Sequence, residues 1–190
     1  GIPGGETWAL PPTPRDLLVG SSHVSGGTAV AAYLRGKGHR RLAVIAGDDE
    51  RADRRLSAFE ATTQAAGLPA VQSVRVPAPT THKSAREALG RLLDAGLGVD
   101  AVFCSSDLLA LGVLTEARAR GLEVPGELAV VGFGDMEFAA DLEPSLTTVR
   151  IDGQAIGRQA ARFIIDRAEG RTPASAVVDV GFRIIERASA

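Results

Sequence analysis

Short apolar runs alternate with longer stretches of helical spacing along this chain, and glycines close most of the helical stretches. That rhythm constrains the fold more than any other feature. Leu42-Ala43-Val44-Ile45-Ala46 is apolar without a break, which suits a strand covered on both faces. Ala101 to Cys104 and Leu128 to Val131 repeat the pattern. Apolar residues three and four apart predict helices over Ser25 to Arg35, Ala52 to Ala66 and Leu108 to Arg120. Gly36, Gly67 and Gly121 follow them, because glycine takes the left-handed dihedrals that end helices. A capping-box spacing from Ser84 to Glu87 predicts the start of another helix, carrying Leu89, Leu92 and Leu93. Further strands are expected at Leu17 to Val19, Val71 to Val76, Thr147 to Ile151 and Val177 to Ile185, with a helix from Gly153 to Glu169. Strand and helix in alternation mean βαβ units, so the expected class is α/β, with a parallel sheet flanked by helices. Such sheets bind ligands beyond the carboxyl ends of their strands. Function is therefore sought at residues 21–23, 47–55, 77–83, 105–107 and 134–138.

Composition removes several function classes. The chain has 190 residues, 45% of them hydrophobic, and a formal net charge of −2, which excludes intrinsic disorder and argues against a dedicated nucleic-acid module. A single cysteine, Cys104, rules out a disulfide framework and a cysteine-based zinc site; it reads as a small buried strand residue. No apolar run approaches the ~18 residues of a membrane span, and no secretory signal opens the chain. Residue 1 is Gly rather than Met, as expected of a piece of a longer protein. Of the 21 cationic residues only Lys37 and Lys83 are lysines, a bias that carries no functional signal.

The chemistry of catalysis is missing. There is no phosphate-binding G-x-x-x-x-G-K-[ST] loop, and Gly132-Phe133-Gly134 has Glu137 where a dinucleotide fingerprint needs its third glycine. No G-x-S-x-G elbow is present. His23, His39 and His82 are scattered, with no metal-binding helix, so neither a metal nor a cofactor is expected. Polar residues at strand ends do stand out. Ser106 and Asp107 follow a strand and open a helix; they either cap it or contact a polar ligand, and one residue can do both. Arg54 and Arg55 sit in the first turns of a helix, where a positive charge opposes the dipole. They read either as solvated surface or as guanidiniums aimed into the strand-end crevice. Residues 47–51 form a polar loop over that crevice, with Asp48 and Glu50 read as plain solvated turn, and Asp135 reads as a turn former.

Taken in order, several segments resemble one family. Gly38-His39-Arg40-Arg41 before an apolar strand is similar to the "G-H-R-R-I-A" segment of the lac-repressor/galactose-repressor family of bacterial transcription regulators. Ser106-Asp107-Leu108-Leu109-Ala110-Leu111-Gly112 resembles its "N-D-x-x-A-x-G". Residues 121–133 resemble "G-x-x-V-P-x-D-I-x-V-V-G-F", and Pro144-Ser145-Leu146-Thr147-Thr148-Val149 resembles "P-x-L-T-T-V". Gly157 with Ala160 and Ala161 fits the "G-x-x-A-A" helix that follows. Glu6-Thr7-Trp8, Ser22-His23, Asp49-Glu50-Arg51 and Gly132-Phe133-Gly134-Asp135 look most like the gluconate-repressor branch.

The resemblance implies an effector-binding core of the periplasmic-binding-protein type, with two α/β lobes joined by crossover strands around a sugar-like effector. It implies part of an N-terminal lobe in residues 1–21 and 150–177, a complete C-terminal lobe in 22–149, and a return to that lobe in 178–190. Apolar surface on the incomplete lobe would then be exposed. By position, Arg55 falls on the family's effector-contacting arginine, in "R-x-x-G-F", here R-L-S-A-F. Ser106 stands for an effector-contacting Asn, Asp107 for the Asp beside it, and Gly134 for the first Asp of "G-F-D-D". Asp49, Arg51 and Asp135 complete the candidate effector set, and Leu111 and Leu114 are candidates for a dimer contact as well as for plain core. A lost carboxylate beside a kept arginine favours an anionic effector such as a sugar acid. Partners implied are that effector, a second copy of the chain, and operator DNA through a separate helix-turn-helix headpiece, in a cytoplasmic protein with no membrane contact. A periplasmic sugar-binding protein shares the fold, and a small α/β enzyme is a third reading.

Overall fold

The computed structural model describes residues 14–171 and 181–190. In chain order these form α1 (Pro14–Gly36), β1 (Leu42–Gly47), α2 (Glu50–Ala65), β2 (Gln72–Val76), α3 (His82–Asp94), β3 (Ala101–Cys104), α4 (Asp107–Ala119) and β4 (Ala129–Val131). A 3-10 turn (Glu137–Asp141), β5 (Thr148–Ile151), α5 (Gly153–Ala168) and β6 (Phe182–Ile185) follow. The first four strands make one parallel sheet in the order β2-β1-β3-β4. β5 and β6 pair antiparallel beside it.

The unbroken apolar runs are strands with two buried faces. Ala43, Ile45, Val102, Cys104 and Val130 face α3 and α4, packing with Leu89, Leu109 and Val113. Leu42, Val44, Ala101, Phe103 and Val131 face the other way, onto Val30 and Leu34 of α1 and Leu56 and Phe59 of α2. Phe103 lies between Phe59 and Phe133, with ring centroids 5.2 and 6.4 Å away. The result is helix pair, sheet and helix pair in three layers, the α/β architecture expected. Cys104 is fully buried, and burial pushes its thiol well above the ordinary range.

Two local expectations are corrected. Leu17 to Val19 is helical, because α1 starts at Pro14 and carries the chain through position 21 without a break. A proline is tolerated in the first turn, where its missing N–H has no helical partner to lose, and three apolar residues have too few positions to separate helix from strand. The capping box of α3 lies three residues earlier than expected. Thr81 is the N-cap: its Oγ1 accepts from the Ser84 amide at 3.0 Å, and the Ser84 hydroxyl accepts from the Thr81 amide at 3.0 Å. Serine therefore takes the place that Glu or Gln holds in the usual box. Of the strand expected over Val177 to Ile185, residues 177–180 lie outside the described residues and Phe182–Ile185 forms β6; Glu6, Thr7 and Trp8 lie outside them too.

Beyond β4 the chain is tied back to the sheet edge. The Val130 amide donates to the Ser189 carbonyl at 2.9 Å, and the Ser189 hydroxyl donates to the Val130 carbonyl at 2.6 Å. Thr147 bridges to Val131 in parallel, so β5 leaves the sheet as a continuation of its edge. On the far side, Ile156 and Ala160 of α5 pack against Ile151 and Phe182, while Ile164 and Ile165 are more than half exposed.

Candidate functional site

The strand order places the site. From β1 the chain steps to β2 on one side, then crosses to β3 on the other, so the crossovers diverge between β1 and β3. A crevice opens at such a switch point, beyond the carboxyl ends of the two strands. Gly47 ends β1 and Ser105 follows β3, and the Gly47 amide donates to Ser105 Oγ at 2.9 Å across the gap. A Cβ at Gly47 would press within 3.2 Å of Asp49 and Thr80, so the glycine keeps this floor open. Above it lies a cleft of about 530 Å³, lined by Gly47, Asp49, Arg51, Arg55, Ser105, Ser106 and Leu109, with Thr80 from the loop after β2 and also Glu50, which the sequence read as plain solvated turn.

Helix starts supply the polar lining. Asp49 is the N-cap of α2 and accepts from the Ala52 amide at 2.9 Å; Ser106 is the N-cap of α4 and accepts from the Leu109 amide at 3.2 Å. Each thus caps and faces the cleft at once. Arg54, adjacent in sequence, pairs instead with Glu50 at 2.7 Å on the helix surface.

Arg55 is the unusual group. Its Nε donates to His23 Nδ1 at 3.2 Å, Nη1 donates to the Ser105 carbonyl at 2.5 Å, and the guanidinium carbon sits 3.6 Å from the centre of the Phe133 ring. These contacts fix the fork, yet among the described residues no carboxylate pairs with it. Burial lowers its pKa to about 10, with Asp49 opposing and Arg51 reinforcing that shift. Asp49 is thus the carboxylate whose charge reaches the guanidinium without pairing with it, and a fork of N–H groups matches carboxylate and phosphate geometry.

His23, outside the candidate set drawn from the sequence, supports that fork. It is 6% exposed, and its ring lies 5.9 Å from that of Phe133. Burial first, then the charges of Arg55, Arg51 and Arg54, lower its pKa to about 4 against the pull of Asp49. Ser105 and Thr80 likewise lie outside that set, although the strand-end stretches 21–23, 77–83 and 105–107 contain all three. Their signal was place alone: Ser105 and Thr80 do follow strands, whereas His23 follows no strand and lies inside α1.

Asp107 and Asp135, the other acidic candidates, are not among the residues that line this cleft. Asp107 is fully buried: Thr148 Oγ1 donates to it at 2.6 Å and the Met136 amide at 2.7 Å. Burial raises its pKa in spite of those bonds. A Cβ at Gly132 would meet its carboxylate at 2.3 Å, so the glycine makes room for it. Asp107 pins α4 to the loop after β4. Asp135, at φ +50°, is clamped by Arg150 at 2.6 Å and Arg187 at 2.8 Å. Burial raises its pKa, but the two guanidiniums outweigh that and hold it below the usual carboxylate range. Both carboxylates are spent on the scaffold. Leu114 is spent likewise, 7% exposed in the core under α3, while Leu111 is half-buried.

A larger hollow, about 1100 Å³, lies between α5 and the β5–β6 pair. Its arginines 158, 162 and 183 are solvent-exposed, and Asp152 is occupied capping α5. It lacks the desolvated, positioned cation of the first cleft. Among the described residues no cluster of three potential metal ligands occurs, and no helix is long and apolar enough to cross a membrane.

Residues 31–190 match the model of the periplasmic binding protein-like domain. The chain is 35% identical over 174 residues to the HTH-type transcriptional regulator GntR of Pseudomonas aeruginosa, covering 90% of this chain and 50% of that protein. Among solved structures it is similar to the transcription regulator GntR from Chromobacterium violaceum, at 33% identity and TM-score 0.71, covering 88% of this chain and 63% of that one. It is also similar to the transcriptional regulator CelR in complex with cellobiose, at 33% identity and TM-score 0.70, covering 89% and 52%. The chain spans about half the length of the curated relatives it matches.

Proposed function

Since the chain belongs to the periplasmic binding protein-like domain family, in the branch carried by LacI-type transcriptional regulators, we propose that it is the effector-sensing part of such a regulator and that its effector is a sugar acid of the gluconate type. The observation that carries the reading is Arg55: a positioned, partly desolvated guanidinium with no carboxylate of its own, facing a polar cleft at the switch point of a parallel sheet. Arg55 takes the acid group, while Ser106, Asp49 and the Ser105 hydroxyl take hydroxyls, and Arg51 adds positive field at the rim. Gly134, at φ +123°, stands where the family's sugar-binding Asp is expected, and only glycine is at ease there. The relative CelR is solved with cellobiose, which supports a carbohydrate as the ligand class.

The cleft binds its ligand without transforming it, and the relatives are regulators rather than enzymes. Binding biases the orientation of the two lobes, and through it the operator affinity of a headpiece outside this chain, by the ligand's differential affinity for the two orientations. The protein works in the cytoplasm as a homodimer. The periplasmic sugar-binding alternative loses ground because the curated relatives named here are transcriptional regulators. Calorimetry with gluconate, 2-ketogluconate, 6-phosphogluconate, glucose and cellobiose tests the reading. Binding of an acid, abolished by Arg55→Ala, supports it; binding of neutral sugars alone overturns it.

A further inference from the structure

Arg51 lines the same cleft as Arg55, four residues earlier on α2, so the two stand on one face of that helix, about 6 Å apart along its axis. Arg55 is half-buried and locked in place, whereas Arg51 is exposed at the rim. The charge of Arg51 reaches both Arg55 and His23, so it bears on the crevice as well as on solvent. The carboxylates at the start of α2 are all engaged elsewhere. Asp49 caps the helix, Glu50 pairs with Arg54 at 2.7 Å, and Asp53 pairs with Arg75. Among the described residues Arg51 has neither an ion pair nor a side-chain hydrogen bond. Its position is unfavourable on two counts. A cation in the first turn opposes the helix dipole, and like charges one turn apart repel. Asp49 offsets part of this from a distance, but its Oδ1 is held by the Ala52 amide and it pairs with neither guanidinium.

We propose that the ligand carries two anionic groups, one for each arginine of this pair: Arg55 holds the acid group at the cleft floor, and Arg51 holds a second one, carboxylate or phosphate, at the rim. This rests on the sugar-acid reading of the cleft and narrows it to doubly charged acids. Such a ligand relieves the repulsion between the two guanidiniums. A neutral sugar leaves that repulsion in place, and gluconate, with one charge, relieves it only in part.

The test is calorimetry on the full chain with gluconate, glucarate and 6-phosphogluconate, which share a sugar-acid chain and end in a hydroxyl, a carboxylate and a phosphate. At least one of the two doubly charged acids should bind about tenfold more tightly than gluconate, and which one does so tells whether the rim takes carboxylate or phosphate. Arg51→Gln should erase that advantage, while gluconate itself loses about threefold at most. Raising salt from ~0.05 to ~0.5 M should shrink the advantage too, because charge at an exposed rim is screened. Without ligand, Arg51→Gln should melt at the wild-type temperature or slightly above it, since it removes a cation from the first turn of α2. Equal binding of the three acids overturns the inference and leaves the sugar-acid reading intact. So does an advantage that survives Arg51→Gln. A lowered melting temperature in Arg51→Gln also overturns it, by making Arg51 part of the scaffold. Failure of the wild type to bind any of the three acids removes both.

Discussion

Gly27→Ala tests the way the fold holds the proposed receptor. Gly27 lies in α1 where that helix crosses α2, and a Cβ there would stand 2.3 Å from the Arg55 carbonyl oxygen, 3.1 Å from its carbon and 3.2 Å from Ala58 Cβ. The oxygen belongs to helix backbone and cannot swing aside. Restoring ordinary contact requires the helices to part by about 1 Å. Overpacking of that kind costs ~1–3 kcal/mol, and the helix propensity gained by replacing glycine returns at most about 1 kcal/mol. A net loss of about 1–2 kcal/mol lowers Tm by roughly 2–8 °C in a chain of this size. The displaced atom is part of Arg55, so the fork should also drift from the Ser105 carbonyl and His23, and acid binding should weaken with stability. Thermal denaturation followed by circular dichroism reads the first effect and calorimetry the second. Gly36→Ala, where nothing lies within 4 Å of the added Cβ, is the control and should be neutral or slightly stabilising. If Gly27→Ala matches that control in both assays, the close crossing of α1 on Arg55 is wrong.

Arg55→Lys keeps the charge but loses the fork, and should weaken acid binding by about 10–100-fold in calorimetry, since charge-assisted hydrogen bonds are worth ~1.5–3 kcal/mol. Asp107→Ala leaves the Met136 amide and the Thr148 hydroxyl without their acceptor and should cost about 1–3 kcal/mol in chemical denaturation. Asp107→Asn should cost less, because the amide oxygen still accepts and the Thr148 hydroxyl can turn to accept from the amide nitrogen. The pKa of His23 is about 4 when folded against 6.5 unfolded, so the folded protein binds the proton less well. The contribution is therefore complete above about pH 6.5 and lost as pH falls towards 4, roughly 3 kcal/mol over that window. Urea denaturation between pH 7 and 4 should show that slope, and His23→Phe should flatten it.

The layers of this fold are legible in one dimension because burial on both faces leaves no polar alternation in a strand. Leu42 to Ala46 and Ala101 to Cys104 declare themselves that way, and glycine at positive φ marks where α2 and α4 stop, at Gly67 and Gly121. Local pattern also reaches the strand-end loops, and with them Asp49, Arg51, Arg55 and Ser106, because in a parallel sheet the loops after strands meet at one edge. It fails where a segment is short. Leu17 to Val19 is three residues long, and helix context decides its state. It fails again where chemistry depends on partners far along the chain. Nothing near Asp107 in sequence says that Thr148 and Met136 will consume its carboxylate, or near Asp135 that Arg150 and Arg187 will.

Side-chain roles at the cleft divide along the same line. Residue type and place after a strand are properties of a dozen neighbouring positions, and the chain displays them directly. Whether a charge is free or paired is a property of space. Arg54 and Arg55 are adjacent and alike in sequence, yet one leans on Glu50 at the surface and the other is locked by His23, Phe133 and Ser105, from three separate segments. Desolvation and pairing depend on what the whole fold packs around a group, so resemblance marks Arg55 in the sequence, but only the assembled layers show that it is half-buried, locked in place and without a paired carboxylate among the described residues.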